Sequence, residues 1–93
     1  MTLGELRSEC LKYPQLKTLW DRVAGIALNT QTRGLPLALR VYRGEELSSE
    51  EKVAFDNLQQ QFDAAAADFK QACQHYNIKT PEIRVGDVCA LYP

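Results

Sequence analysis

The longest regular pattern of apolar residues lies in the second half of the chain. Apolar residues recur there with alternating spacings of three and four: Phe55, Leu58, Phe62, Ala65, Phe69, Ala72 and Tyr76. This is the a/d repeat of a helix that packs along one face. Ser48 and Glu51 precede it with the spacing of a capping box, which marks the start of a helix. The sequence therefore predicts one long helix over about 49–76.

Two shorter helical segments precede this one. Thr2 and Glu5 have capping-box spacing, and the apolar residues from Leu3 to Tyr13 follow a 3-4-3 pattern. Pro14 disfavours helical geometry at Tyr13 and is well suited to the first position of a new helix. We expect that second helix to end near residue 28, before a polar loop over 29–34. Its apolar face comprises Leu16, Leu19, Trp20, Val23, Ile26 and Ala27.

The segment from Leu35 to Arg43 fits two patterns. Apolar residues alternate strictly from Leu35 to Val41, which is the period of a strand. Pro36 as the first residue of a short helix, with Gly44 just past its end, is the alternative. We favour a strand at about 37–42. A second strand or hairpin at about 82–91 would pair with it; the alternative for that segment is an extended tail lying across the helices.

These elements predict a single small domain over residues 1–93, of α+β class and predominantly helical. Two short N-terminal helical segments pack on the long helix (about 49–76), and a small two-stranded sheet (about 37–42 and 82–91) closes one end. The alternative is that the long helix pairs with its copy in a second chain. Ala65 and Ala72 would bury little area in such a pair, so we expect a monomer.

Composition narrows the choice of environment and partner. The 93 residues carry a net charge of −1, which argues against binding nucleic acid through bulk charge. The apolar runs are short and broken by charges, so we expect no membrane association. Three widely spaced cysteines cannot all pair within one chain, and the N-terminus lacks the apolar segment of an export signal. The cytoplasm is the expected location.

Candidate chemistry is sparse. There is one histidine, and it lies two residues from Cys73, a spacing that places the two side chains on different faces of a helix. No closely spaced ligand pairs suggest a metal site, and no glycine-rich loop suggests phosphate binding. We therefore predict a protein that is not an enzyme and has no catalytic residues, metal or cofactor.

Charge is distributed unevenly along the chain. Residues 1–44 carry seven bases and three acids, residues 45–93 carry four bases and nine acids, and no acid lies between Arg22 and Gly44. Arginine with asparagine and glutamine suits contact with carboxylates or phosphates. The candidate partner-binding residues are Asn29, Gln31, Arg33, Arg40 and Arg43.

Two functions are compatible with this charge pattern. The first is a non-enzymatic interaction module, a small cytosolic adaptor, inhibitor or regulator that docks on a larger protein or complex. The second is a nucleic-acid or ribonucleoprotein binder that uses the acid-free arginine window 22–44. A purely structural role is the alternative for the arginines, in which they pair with acids of the second half.

Overall fold

The computed structural model describes residues 1–92 and contains four helices. They are α1 (Leu3–Cys10), α2 (Pro14–Tyr42), α3 (Ser49–His75) and α4 (Val85–Cys89). Helices α2 and α3 form an antiparallel hairpin, since Gln15 contacts Tyr76 at one end and Arg40 contacts Glu51 at the other. The molecule measures 44 × 22 × 17 Å, so the hairpin sets its length.

Local sequence explains where α1 and α3 begin and end. The Thr2 hydroxyl accepts a hydrogen bond from the Glu5 amide at 3.2 Å, and the Ser48 hydroxyl accepts one from the Glu51 amide at 3.1 Å. Both predicted capping boxes are complete. Helix α3 ends at His75, and Asn77 follows it with a φ of 57°, the left-handed geometry that stops a helix. The long-helix prediction is confirmed.

The hydrophobic core lies toward the end of the hairpin that is distant from the α2–α3 loop. We call this end the base and the loop end the tip. The Trp20 and Phe69 rings pack with centroids 5.5 Å apart, and the Trp20 indole N–H donates to the Tyr92 hydroxyl at 2.8 Å. Helices α1 and α4 cover the base through four buried residues: Leu6, Cys10, Val88 and Cys89. The predicted seam of α3 is accordingly buried at Phe62, Ala65 and Phe69.

The predicted two-stranded sheet is wrong, because residues 1–92 contain no strand. Residues 37–42, and the predicted loop over 29–34, belong to α2. Within a helix the alternating leucines separate into pairs four residues apart. Leu37 and Val41 line a cavity against α3, where Leu37 is half-buried and Val41 is still exposed, and Leu35 and Leu39 are exposed on another face. Alternation alone therefore does not distinguish a strand from this arrangement.

The second predicted strand, 82–91, is also wrong. It contains α4, whose Val88 and Cys89 are buried while Val85 is half-buried. Spacings of three and four place these residues on one helical face, which packs against the hairpin. The predominantly helical prediction is confirmed, but only one N-terminal segment is short: α2 has 29 residues and is slightly longer than α3.

None of the helices within residues 1–92 combines the length and the hydropathy required to cross a bilayer.

Candidate interaction surface

Exposed apolar side chains are concentrated near the tip. Eight large apolar residues are exposed within residues 1–92, and six of them lie between positions 28 and 53. Four of the six share a face of α2, because they are separated by seven, four and three residues. We call this set the apolar stripe: Leu28, Leu35, Leu39 and Tyr42. Leu35 is 50% exposed, so much of its surface is open to a partner.

A groove between α2 and α3 adjoins the apolar stripe. It encloses about 480 Å³, and none of its lining residues carries a charge. Leu35 belongs to both the stripe and the groove. The other α2 and α3 residues that line it are Thr30, Gln31, Gly34, Ala38, Phe55 and Gln59.

Small residues of α2 create this groove. A Cβ atom at Gly34 would lie 3.5 Å from the Phe55 ring, so the two helices approach closely there. Ala38, one turn later, borders both the groove and a second apolar cavity of about 230 Å³ on the other side of Phe55. The Phe55 side chain is therefore only half-buried, in contrast to Phe62 two turns later.

The start of α4 borders the same groove. Val85 and Gly86, at the start of α4, form its end wall. Beyond them toward the tip, no segment within residues 1–92 covers the groove or the apolar stripe. The groove and the apolar stripe are thus open toward the tip.

The structure brings four of the five predicted binding residues onto one face of α2. Positions 29, 33, 40 and 43 are separated by four, seven and three residues, which aligns them along a helix. We call this set the basic stripe: Asn29, Arg33, Arg40 and Arg43. It lies on average about a third of a turn around α2 from the apolar stripe, and Arg33 lies almost opposite Leu35. Gln31, the fifth predicted residue, is not part of it and lines the groove instead.

Acids of the second half engage some of the arginines. Arg40 forms an ion pair with Glu51 and lies 3.7 Å from a Glu45 carboxylate oxygen, and Arg22 pairs with Asp68 at 3.4 Å. A hydrogen bond from the Ser48 backbone, assisted by Arg40, lowers the pKa of the Glu51 carboxyl. Arg40 thus helps hold the tip of the hairpin together.

The remaining two arginines are free to meet a partner. Arg33 and Arg43 are exposed, and neither forms an ion pair within residues 1–92. Asn29 beside them is exposed as well. The accessible part of the predicted site is therefore Asn29, Arg33 and Arg43, of which Arg43 adjoins the apolar stripe at Leu39.

The signal for the apolar stripe was present but divided. The sequence pattern predicts the fading end of a helix at Leu28, a strand-like alternation from Leu35 to Val41, and a strand only over about 37–42. Only a continuous α2 places the leucines of the apolar stripe on one face, and the glycine at 34 and the proline at 36 obscured that continuity. A helical wheel extended through residue 42 would have revealed it.

The cysteines form part of the core and not of a reactive site. All three are buried and unpaired. Burial, together with the neighbouring Cys73, raises the pKa of the Cys10 thiol to about 12. Burial also raises the pKa of Cys73 and of Cys89. A thiol with a raised pKa is a poor nucleophile near neutral pH. Residues 1–92 contain no cluster of three or more metal-ligating side chains.

Comparison with protein-family models, with curated proteins and with solved structures finds no match to this chain.

Proposed function

We propose that this protein is a non-enzymatic interaction module that docks on a larger protein through the distal half of α2. The observation that carries the proposal is the concentration of exposed apolar side chains near the tip, beside an uncharged groove. Contiguous exposed apolar surface is costly in water and is typical of interaction sites. We place the protein in the cytoplasm, where its three free thiols would remain reduced.

The charges around this surface favour a protein partner over nucleic acid. Binding to a phosphate backbone requires several free cations. Arg22 and Arg40 are engaged by acids of α3 and of the loop, which leaves Arg33 and Arg43. Exposed leucines with Arg43 at their edge resemble the apolar centre and polar rim of a protein interface.

Quantitative affinity capture from the source cell, with nuclease present, tests this function. Leu35→Glu and Arg43→Glu should each remove the captured partner, because they place a charge or reverse one at the docking surface. Leu11→Glu and Lys79→Glu are the matched controls, since both residues are exposed and lie at the base. The controls should retain the partner, and all four variants should melt near the wild-type temperature.

Two outcomes would contradict the proposed function. One is a captured partner that is retained by both tip variants. The other is a partner that nuclease releases, since nucleic acid would then mediate the capture.

A further inference from the structure

We infer that the groove is a binding site for a small, uncharged aromatic molecule that carries one hydrogen-bonding group. This inference goes beyond the docking function and does not depend on it, because the groove and the apolar stripe share only Leu35. It follows from the size of the groove, from the chemistry of its lining and from one polar group that lacks a partner.

The groove has the position and size of a small-molecule site. Its lining comes from three helices, since the start of α4 adds Val85 and Gly86 to the residues of α2 and α3. Small-molecule sites often lie between helices and enclose about 300–1,000 Å³. The groove encloses about 480 Å³, which falls within this range.

Burial divides the lining residues into a floor and a rim. The floor consists of Thr30 and Gly34, which are buried, and of Phe55 and Val85, which are half-buried. The rim consists of the exposed lining residues: Gln31, Leu35, Ala38, Gln59 and Gly86. A ligand that enters between the rim residues therefore reaches a floor that is mostly apolar.

The Phe55 ring is the largest apolar group of the floor and favours an aromatic ligand. It borders a second cavity as well as the groove, and this leaves it half-buried. Gly34 contributes no side chain beside it. Two aromatic rings in contact attract each other more than their buried area alone accounts for. An aromatic ligand is therefore expected to bind more tightly than an aliphatic one of the same size.

The lining favours a neutral ligand. None of the lining residues carries a charge. A charged group that leaves water for such a site loses its hydration and gains no opposite charge in return. The carboxamides of Gln31 and Gln59 on the rim can form hydrogen bonds but cannot neutralise a charge.

Thr30 is the expected partner for the hydrogen-bonding group of the ligand. Its hydroxyl is buried and has no partner within residues 1–92, although Thr30 belongs to the floor. A ligand that donates or accepts a hydrogen bond supplies the interaction that this hydroxyl lacks. Threonine in a helix populates two χ1 rotamers, and in the proposed complex the hydroxyl turns about χ1 to meet the ligand.

Titration of the isotope-labelled protein by NMR tests this inference with four probes that share one ring. Of the neutral probes, p-cresol has a hydroxyl and toluene has none. The charged probes are 4-methylbenzoate and 4-methylbenzylammonium. Both neutral probes should cause saturable shift changes at 30–38, 55–59 and 85–86. Both charged probes should bind at least about tenfold more weakly than p-cresol.

Thr30→Val separates the hydrogen bond from the apolar contacts. This variant should bind p-cresol about fivefold more weakly, the effect of one neutral hydrogen bond, and should bind toluene no more weakly than wild type does. Thr32→Val is the matched control, because the Thr32 hydroxyl donates to the Leu28 carbonyl and Thr32 does not line the groove. The control should bind both probes with wild-type affinity.

A second pair of variants tests the location of the site. Ala38→Leu places a larger side chain in the groove and should prevent the binding of both neutral probes. Ala67→Leu, the same change at an exposed position of α3 outside the groove, should leave their affinities unchanged. The spectrum of each variant without a probe reports whether it is folded.

Several results would overturn the inference. Shift changes of the neutral probes that do not saturate, or that lie away from the groove, would exclude a site there. A charged probe that binds as tightly as p-cresol would contradict the neutral ligand. Wild-type affinity of Thr30→Val for p-cresol, or an equal loss for toluene, would exclude the hydrogen bond. Binding that persists in Ala38→Leu would place the site elsewhere.

The test also separates this site from other uses of the same surface. Concentration-dependent shifts at the groove without a probe would identify a second copy of the chain as its occupant and would overturn the inference. Capture of a protein partner without probe binding would refute only the ligand site. Probe binding without capture would refute only the docking function.

Discussion

Thr30 carries a buried hydroxyl with no hydrogen-bond partner within residues 1–92. It lies on the α2 wall of the groove, with 9% of its surface exposed. A buried polar group without a partner lowers stability by about 1–3 kcal/mol. Thr32, one half-turn later, instead donates to the Leu28 carbonyl at 2.8 Å. The two threonines therefore allow a matched comparison.

We expect Thr30→Val to raise the free energy of unfolding by about 1 kcal/mol, because valine has the same shape and needs no hydrogen bond. Chemical denaturation measures the change. Thr32→Val, the control, should have an effect near zero or slightly destabilising. A lower stability for Thr30→Val would show that the hydroxyl is bonded in solution.

The raised pKa values of the cysteine thiols predict that the protein loses stability at alkaline pH. The Cys10 thiol has a pKa of about 12 in the folded chain against a reference of 9.0, and the Cys73 and Cys89 pKa values are raised as well. Between these pH values the unfolded thiols ionise while the folded ones stay protonated, so rising pH favours unfolding. Denaturation at about pH 8 and about pH 10.5 should show this loss. A Cys10→Ala variant should lose less over the same interval, and an equal loss would exclude the thiol as its cause.

Among the helices, α2 is unusual because it continues through a proline, Pro36. Pro36 cannot donate a hydrogen bond to the carbonyl one turn earlier, which costs about 3 kcal/mol in a helix interior. The flanking turns offset this cost, since Gly34 lies against Phe55 and Arg40 pairs with Glu51. The helix therefore persists because its two sides are anchored separately.

Pro36→Ala should accordingly stabilise the protein by about 2 kcal/mol, after allowance for the greater freedom of the unfolded chain. Thermal unfolding should show an increase of several degrees. Pro14→Ala is the control, because Pro14 is the first residue of α2 and forfeits no helical bond there. An unchanged melting temperature for Pro36→Ala would mean that α2 does not require the missing bond.

The stability of the whole molecule depends on how the phenylalanines of α3 pack against the other helices. Phe62 is 1% exposed and Phe55 is half-buried. Phe62→Ala should cost about 3–5 kcal/mol, much of the stability of a domain this small. Phe55→Ala should cost distinctly less, since its ring borders two cavities. Urea denaturation measures both, and equal losses would show that the tip is packed as tightly as the base.

The oligomeric state is a second prediction at this scale. The α3 seam is covered by α2, and the uncovered surface at the tip is small for a stable dimer. We expect a monomer at micromolar concentration. Light scattering after gel filtration provides the mass, and a dimeric mass would assign the tip to self-association.

Elements whose signals are local could be predicted without a structure. The capping boxes at Thr2 and Ser48 satisfy backbone donors within one turn, and the 3-4 repeat from Phe55 to Tyr76 defines one face whatever packs against it. The lack of acids between Arg22 and Gly44 is likewise a property of the chain alone. These predictions needed no knowledge of neighbouring elements.

The other features depend on contacts between distant parts of the chain. A proline and a period-two pattern disfavour helix over 35–42, and contacts with α3 that the sequence does not specify outweigh them. Because α2 is continuous, four predicted binding residues share one face: Asn29, Arg33, Arg40 and Arg43. Arg40 also pairs with Glu51. Leu28, Leu35 and Leu39 share a second, exposed face. The packing of distant segments decides which residues are accessible to a partner. The candidate surface therefore follows from the continuity of α2.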